Sequence, residues 1–209
     1  RTDTIRLNFE DAPRIDAGDP QTICSNEFPV QLDGTGSPAT WSGGMGTFSN
    51  TNALDATYTP DPSEIGTTVT LTLLTDDLGG ACTPISDQVD ITILPGPTVF
   101  AGDDQIVCGD ANNITLAGTF GGTSTGMQWV RLAPATGTFS NNTDPGATYN
   151  ISGLDIDNGT VQIVAFPTGI GSCPVTTDTM ILTITDAPTV DAGFPQTICA
   201  DAGSIDLNG

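Results

Sequence analysis

Histidine and lysine are both absent from the 209-residue sequence, and each absence removes a class of chemistry. Without His there is no ordinary general base and no usual partner for a nucleophilic Ser or Cys. Without Lys, Schiff-base mechanisms and Lys–Asn isopeptide cross-links are excluded, so covalent reinforcement falls to cysteine. Positive charge is scarce: 4 Arg against 25 acidic residues leave a net charge of −21. Such a surface repels phosphate backbones and anionic headgroups, which argues against nucleic acid as a partner. There is no apolar run of about 20 residues, so membrane insertion is not expected. Helical periodicity is missing as well, since no window carries an apolar stripe at helical spacing over three turns. Only 14% of residues are charged, while Thr, Val and Gly are abundant, a balance that suits a β-rich folded chain rather than a disordered acidic one.

What is present is a repeat. The strings APRIDAGDPQTIC (12–24), GPTVFAGDDQIVC (96–108) and APTVDAGFPQTIC (187–199) share Pro, Ala-Gly, Gln, β-branched residues and a terminal Cys, and they start 84 and 91 residues apart. A fixed period defines repeat architectures. We expect residues 1–11 to be the last strand of a preceding module, because TDTIRLNFEDAP (2–13) matches TDTMILTITDAP (177–188). Residues 12–95 and 96–186 then form two β-sandwich modules, and 187–209 begin a further, truncated one.

Within each module, alternation at period two marks half-buried strands. Val30 and Leu32 match Ile114 and Leu116, and then Ile205 and Leu207. Val69, Leu71 and Leu73 match Val161, Ile163 and Ala165. The closing strand sends Val89, Ile91 and Ile93, or Met180, Leu182 and Ile184, inward. A GTFSN block (46–50 and 137–141) and an ATY block (56–58 and 147–149) lie between. A Gly-containing turn leads into Cys82. Short strands with turn signals every 8–12 residues predict an all-β tandem array of immunoglobulin-like sandwiches, set end to end by prolines at the junctions, with one disulfide each.

The five cysteines occupy two repeat positions. Pairing within modules, Cys24–Cys82 and Cys108–Cys173, would let each module be secured alone, with Cys199 finding its partner outside the segment. The bridged residues are 58 and 65 positions apart, for which loop closure is worth about 4 kcal/mol. Spacing leaves a staple across the junction open, since Cys82 to Cys108 and Cys173 to Cys199 are both 26 residues apart. A zinc site lacks both a C-x-x-C and a His. Disulfides imply an oxidising compartment, and so a secreted, extracellular chain.

Carboxylates are the remaining chemistry. Asp76-Asp77 and Asp103-Asp104 are adjacent acidic pairs, but neighbours on a strand face opposite ways and neither pair recurs, so they read as solvated turn acids and no enzyme is expected. Calcium is the one cofactor with candidates, at Asp103 and Asp104. The junction acids Asp11 and Asp16, and Asp186 and Asp191, are replaced by Pro95 and Phe100 at the middle junction, which argues against a calcium clamp at every joint. Trp41 and Trp129 fit core packing better than a sugar-stacking platform. Tyr58 and Tyr149 are expected to bury the ring and hydrogen-bond the hydroxyl to nearby backbone. The modules differ most in length at 119–128 against 35–40 and at 130–136 against 42–45, which makes these loops the candidate contact surfaces.

Taken together, the AP-x-V-x-AG-x-x-Q-T-I-C string, V-x-L-x-G, Trp, GTFS, ATY and the closing strand resemble the PKD-like, immunoglobulin-like repeats of the giant SprB-like surface adhesins of gliding Bacteroidetes. The resemblance covers essentially the whole chain. It implies type 9 secretion, display as a filament on the outer surface, and adhesion during gliding. Its implied partners are neighbouring repeats, a surface polysaccharide or substratum, and motility or secretion machinery elsewhere in the full chain. The W-D-F-G-D-G-like motif of many PKD-like domains is replaced by Trp41-Ser42-Gly43-Gly44 and Trp129-Val130-Arg131, so ligand roles tied to it do not carry over. Asp3-Thr4-Ile5 and Asp178-Thr179-Met180 fit the O-glycosylation pattern of that group, at Thr4 and Thr179. The alternatives are glycan- or surface-binding modules in their own right, and spacers of a secreted polysaccharide-degrading enzyme.

Overall fold

The computed structural model describes residues 3–77 and 82–208. The Gly-containing turn before Cys82 lies outside the described residues, as do Arg1, Thr2 and Gly209. The first repeat supplies β1 (Ile15–Asp16), β2 (Gln21–Cys24), β3 (Val30–Gln31), β4 (Thr35–Gly36), β5 (Ala39–Gly43), β6 (Thr47–Phe48), β7 (Thr57–Thr59), β8 (Thr68–Thr75) and β9 (Ser86–Leu94). The second supplies their counterparts: β10 (Thr98–Phe100), β11 (Gln105–Cys108), β12 (Asn113–Thr115), β13 (Thr119–Gly121), β14 (Gly126–Arg131), β15 (Thr138–Phe139), β16 (Thr148–Asn150), β17 (Thr160–Thr168) and β18 (Asp178–Thr185).

Both repeats have the same topology. A four-stranded sheet runs β2-β9-β8-β5 in the first and β11-β18-β17-β14 in the second; a three-stranded sheet runs β3-β7-β6 and β12-β16-β15; a two-stranded ribbon joins β1 to β4 and β10 to β13. β2 lies parallel to β9, with Gln21 opposite Ile91 and Cys24 opposite Leu94. β11 lies parallel to β18 in the same register, Gln105 opposite Leu182 and Cys108 opposite Thr185. β1–β4, β3–β7, β6–β7, β5–β8, β8–β9, β10–β13, β12–β16, β15–β16 and β17–β18 pair antiparallel.

The alternation read from the sequence sets the faces. Leu32, Leu71, Leu73, Ile91 and Ile93 are completely inaccessible, and they join Val30, Trp41, Tyr58, Val69 and Val89 in one core drawn from both sheets. Ile163, Ala165, Met180 and Leu182 are equally inaccessible in the second repeat. The outward positions of β8 and β9 are polar and pair across the ladder. Thr68 meets Thr92, Thr70 donates to Asp90, and Gln88 donates to Thr72. Such cross-strand pairs make a sheet stable on its wet side.

Among the described residues one α-helix occurs, where none was expected. Gly153–Asn158 form a short α-helix, α1, and a 3-10 turn at Pro62–Glu64 holds the same place in the first repeat. Each begins with a capping box, Asp61 with Glu64 and Ser152 with Asp155, which satisfies the free N–H groups of a single turn without any apolar stripe. Residues 3–14 contain no strand, and Ile5, Leu7 and Phe9 are exposed, whereas their sequence counterparts Met180, Leu182 and Ile184 are buried. Ile205 and Leu207 are exposed too, unlike Val30 and Leu32.

The chain divides into two compact units. The first comprises Arg1–Phe100 with Thr119–Gln128 and Phe166–Thr177; the second comprises Ala101–Gly118, Trp129–Ala165 and Asp178–Gly209. Two segments of the second repeat in sequence therefore belong to the first unit in space. Burial predicts where truncation costs stability. Ile91→Ala should lower the unfolding free energy by about 3 kcal/mol, and Ile106→Ala, 74% exposed, by less than about 0.5 kcal/mol, read by urea titration of tryptophan fluorescence.

Candidate functional site: a tyrosine–carboxylate lock and a cysteine bridge

The two buried acids among the described residues sit in equivalent places. Glu64 is 4% exposed and Asp155 is fully buried. The Tyr58 hydroxyl donates to Glu64 Oε2 at 2.8 Å, and the backbone N–H groups of Met45 and Asp61 donate to its two oxygens at 2.7 and 2.8 Å. Gly46 N–H in turn donates to the Tyr58 hydroxyl at 2.9 Å. In the second repeat, Tyr149 donates to Asp155 Oδ2 at 3.0 Å, and the N–H groups of Thr136, Gly137 and Ser152 donate to the same carboxylate at 2.9, 3.0 and 3.0 Å. Both rings are buried as expected, and the expected bond to nearby backbone is present at Tyr58, but backbone is not the hydroxyls' main partner. Each hydroxyl bonds a buried carboxylate six residues downstream.

This arrangement accounts for the GTFSN block. A Cβ at Gly137 would overlap the Tyr149 hydroxyl and Asn150 O, and a Cβ at Gly46 would overlap Thr59 O. Phe48 and Phe139 pack on the tyrosine rings at centroid distances of 4.9 and 5.1 Å. Burial pushes the Tyr58 phenol up to about 12, with the Glu64 hydrogen bond acting in the same direction. The Tyr149 phenol is raised for the same causes, with Asp155 as its partner. For Asp155, burial is the largest influence and pulls its pKa upward, but the hydrogen bonds from Ser152, Thr136 and Tyr149 together outweigh it and hold the carboxyl below its ordinary value. Protonated phenol and ionised carboxylate form a closed set of donors and acceptors, a lock rather than a reactive pair. Tyr-x5-Glu and Tyr-x5-Asp were readable in the sequence, but only the fold shows that both acids turn inward.

The cysteines depart from both sequence expectations. Cys24 is bonded to Cys173, with Cα atoms 5.6 Å apart, while Cys82, Cys108 and Cys199 are free. Neither Cys24–Cys82, nor Cys108–Cys173, nor a Cys82–Cys108 or Cys173–Cys199 staple is formed. The parallel register explains why the within-module pairs fail. Cys24 stands beside Leu94 at the end of β9, whereas Cys82 lies in the connection that enters β9 at Ser86. The length of β9 puts about 25 Å between those ends, and a disulfide tolerates less than about 7 Å between Cα atoms. Cys108 and Cys173 stand in the same relation along β18. The neighbours of Cys24 are engaged as well: Ser25 Oγ accepts from Gly96 N–H at 2.8 Å, and Asn26 Nδ2 donates to Pro174 O at 3.2 Å. Beside Cys82 opens a cleft of about 260 Å³ lined by Asp11, Pro13, Ser37, Asp76 and Thr83.

Trp41 and Trp129 are 1% exposed, and their indole N–H groups donate to Ala53 O at 3.1 Å and Asp144 O at 2.8 Å. They are core residues and offer no stacking platform. Asp104 Oδ1 accepts from Ile181 N–H at 2.7 Å, and no three acids or cysteines gather in metal-binding geometry among the described residues. Thr4 and Thr179 are both exposed. Among the described residues, no helix is long and apolar enough to cross a membrane.

No family model and no curated protein matches the chain. Solved structures do. The insect immune protein hemolin matches with a TM-score of 0.52 and 9% identity, over 87% of this chain and 49% of that one. Drosophila N-cadherin EC1-4 matches at TM-score 0.44 and 12% identity (84% and 50% covered), and Sidekick-1 immunoglobulin domains 1-5 at 0.40 and 15% (84% and 39%). The chain spans half or less of the length of these structures. The hemolin likeness establishes the class that the two sheets and shared core define: an all-β protein of immunoglobulin-like sandwiches in tandem.

The lock yields two predictions. Asp155→Ala strands a buried hydroxyl and three N–H groups, so it should cost about 3 kcal/mol in a urea titration, while Asp157→Ala on the exposed side of α1 should change little. Because the folded Asp155 carboxyl is held below its ordinary value, its contribution is complete above about pH 4 and is lost as pH falls further. Wild-type stability should therefore drop more steeply than that of Asp155→Asn as pH falls below about 4.

Proposed function

We propose that the chain is part of the stalk of a long, secreted cell-surface adhesin, in which binding and anchoring reside in other segments. The observation that carries this reading is the duplication itself. Two repeats keep one topology, one strand register and one buried lock, while their loops differ in length. Selection for a constant frame with variable loops suits a spacer. The bonded cysteine pair supports an oxidising, extracellular location, and a net charge of −21 keeps stalks apart in solution. The resemblance to the repeats of gliding adhesins in Bacteroidetes extends the reading to a filament that adheres to a substratum during gliding. Residues 1–11 and 187–209 are then parts of flanking modules, and Thr4 and Thr179 are positions open to O-glycosylation.

The full-length sequence together with surface labelling tests the reading. Many further repeats, and antibody to residues 12–186 decorating filaments outside intact cells, are the expected result. A catalytic domain adjoining only two or three repeats would make the chain a spacer of a secreted enzyme instead. Retention of the two-repeat chain on a glycan array would make it a binding module.

A further inference from the structure

We infer that the Cys24–Cys173 bond is one rung of a regular ladder: the first cysteine of each repeat is joined to the second cysteine of the next. Cys82 then takes its partner from the repeat before, and Cys108 takes its partner from the repeat after the second. The inference rests on the array reading above, because both partners lie in flanking repeats.

Two independent features point to it. The first is register. Cys108 occupies in β11 the place that Cys24 occupies in β2, opposite the last residues of the closing strand, so it also stands a strand length from the second cysteine of its own repeat. The second is the cleft at Cys82. Aligned on the closing strands, Cys82-Thr83 corresponds to Cys173-Pro174 and Ala12-Pro13 to Gly96-Pro97. At Cys173 those positions receive a turn of the preceding repeat: Cys24 bonds Cys173, Ser25 accepts from Gly96, and Asn26 donates to Pro174. At Cys82 the corresponding residues, Pro13 and Thr83 among them, line the 260 Å³ cleft. Its occupant is the Cys-Ser-Asn-like turn of the repeat before. Cys108-Gly109-Asp110 is the turn presented to the repeat after.

Each rung forms by loss of two Sγ–H bonds and gain of one Sγ–Sγ bond. The two electrons and two protons pass by thiol–disulfide exchange to a disulfide-bearing oxidant, which leaves as its dithiol. The ladder changes how the array carries tension. Force applied along the chain passes from Cys24 to Cys173 through sulfur and then along the backbone to Cys199, where the next rung begins. A second track runs through residues 82–108. Only the closing strands, the junctions and the thirteen-residue signatures are loaded. Residues 25–81 and 109–172, which hold the tryptophans, the locks and the variable loops, lie outside both tracks.

Cleavage before aspartate isolates every cysteine in its own peptide: 19–32, 77–86, 104–109, 157–177 and 191–200. The native full-length protein, alkylated and digested without reduction, should give 19–32 bonded to 157–177. Peptide 77–86 should be bonded to a signature peptide from upstream, and 104–109 to a second-position peptide from downstream. Recovery of 77–86 bonded to 104–109 or to 19–32, or of either as an alkylated thiol, overturns the ladder while leaving the array intact. A full-length chain without flanking repeats removes the array reading itself. In a force measurement on the 209-residue chain, reduction should add about 500 Å of extension as the 149-residue loop is released; equal extension with and without reductant overturns the bypass.

Discussion

The parallel pairing of the signature strand with the closing strand is the constraint on which the rest depends. Once β2 runs alongside β9, and β11 alongside β18, the start of each repeat is fastened to its own end in the same sheet. That pairing sends the first cysteine to the end of the module where the chain leaves. The second cysteine is left in the connection at the other end. A staple within one sandwich is then ruled out by distance, and Cys24 is delivered to Cys173 of the following repeat.

The buried carboxylates show a second way in which the repeats hold their shape. Burying an ionised carboxylate is costly unless its lone pairs are met by donors. Here three or more donors converge on each acid, and one of them is a tyrosine whose ring is itself core. The lock ties the short turn that carries Glu64, or α1 that carries Asp155, to the GTFSN segment of the three-stranded sheet. Glu64 and Asp155 each stand at the third position of their turn and meet the tyrosine of their own repeat.

Much of this was legible without the fold. Val30 and Leu32, Val69 through Leu73, and Val89 through Ile93 were readable as inward-facing because a strand alternates its side chains regardless of what it pairs with. The same holds for Met180, Leu182 and Ile184. The tryptophans were readable as core because each follows the first cysteine of its repeat, the place a core Trp holds in an immunoglobulin-like sandwich. Ile5, Leu7 and Phe9 carry the same alternation, yet they are exposed. Pattern reports the capacity to be buried, and a neighbouring strand must supply the burial. The lock was missed for the opposite reason: a lone acid six residues past a tyrosine looks like any turn acid until its side chain is seen to point inward.

The sequence by itself determined the repeat, the strand faces, the all-β class and the exclusion of histidine and lysine chemistry, because each depends on composition, on alternation over a few residues, or on matching one stretch of the chain directly to another. Tertiary structure alone decided which cysteines meet and which acids are buried. Both depend on which ends of strands lie together, and spacing along the chain does not encode that. Cys24 and Cys82 are 58 positions apart and stay free of one another; Cys24 and Cys173 are 149 apart and are bonded.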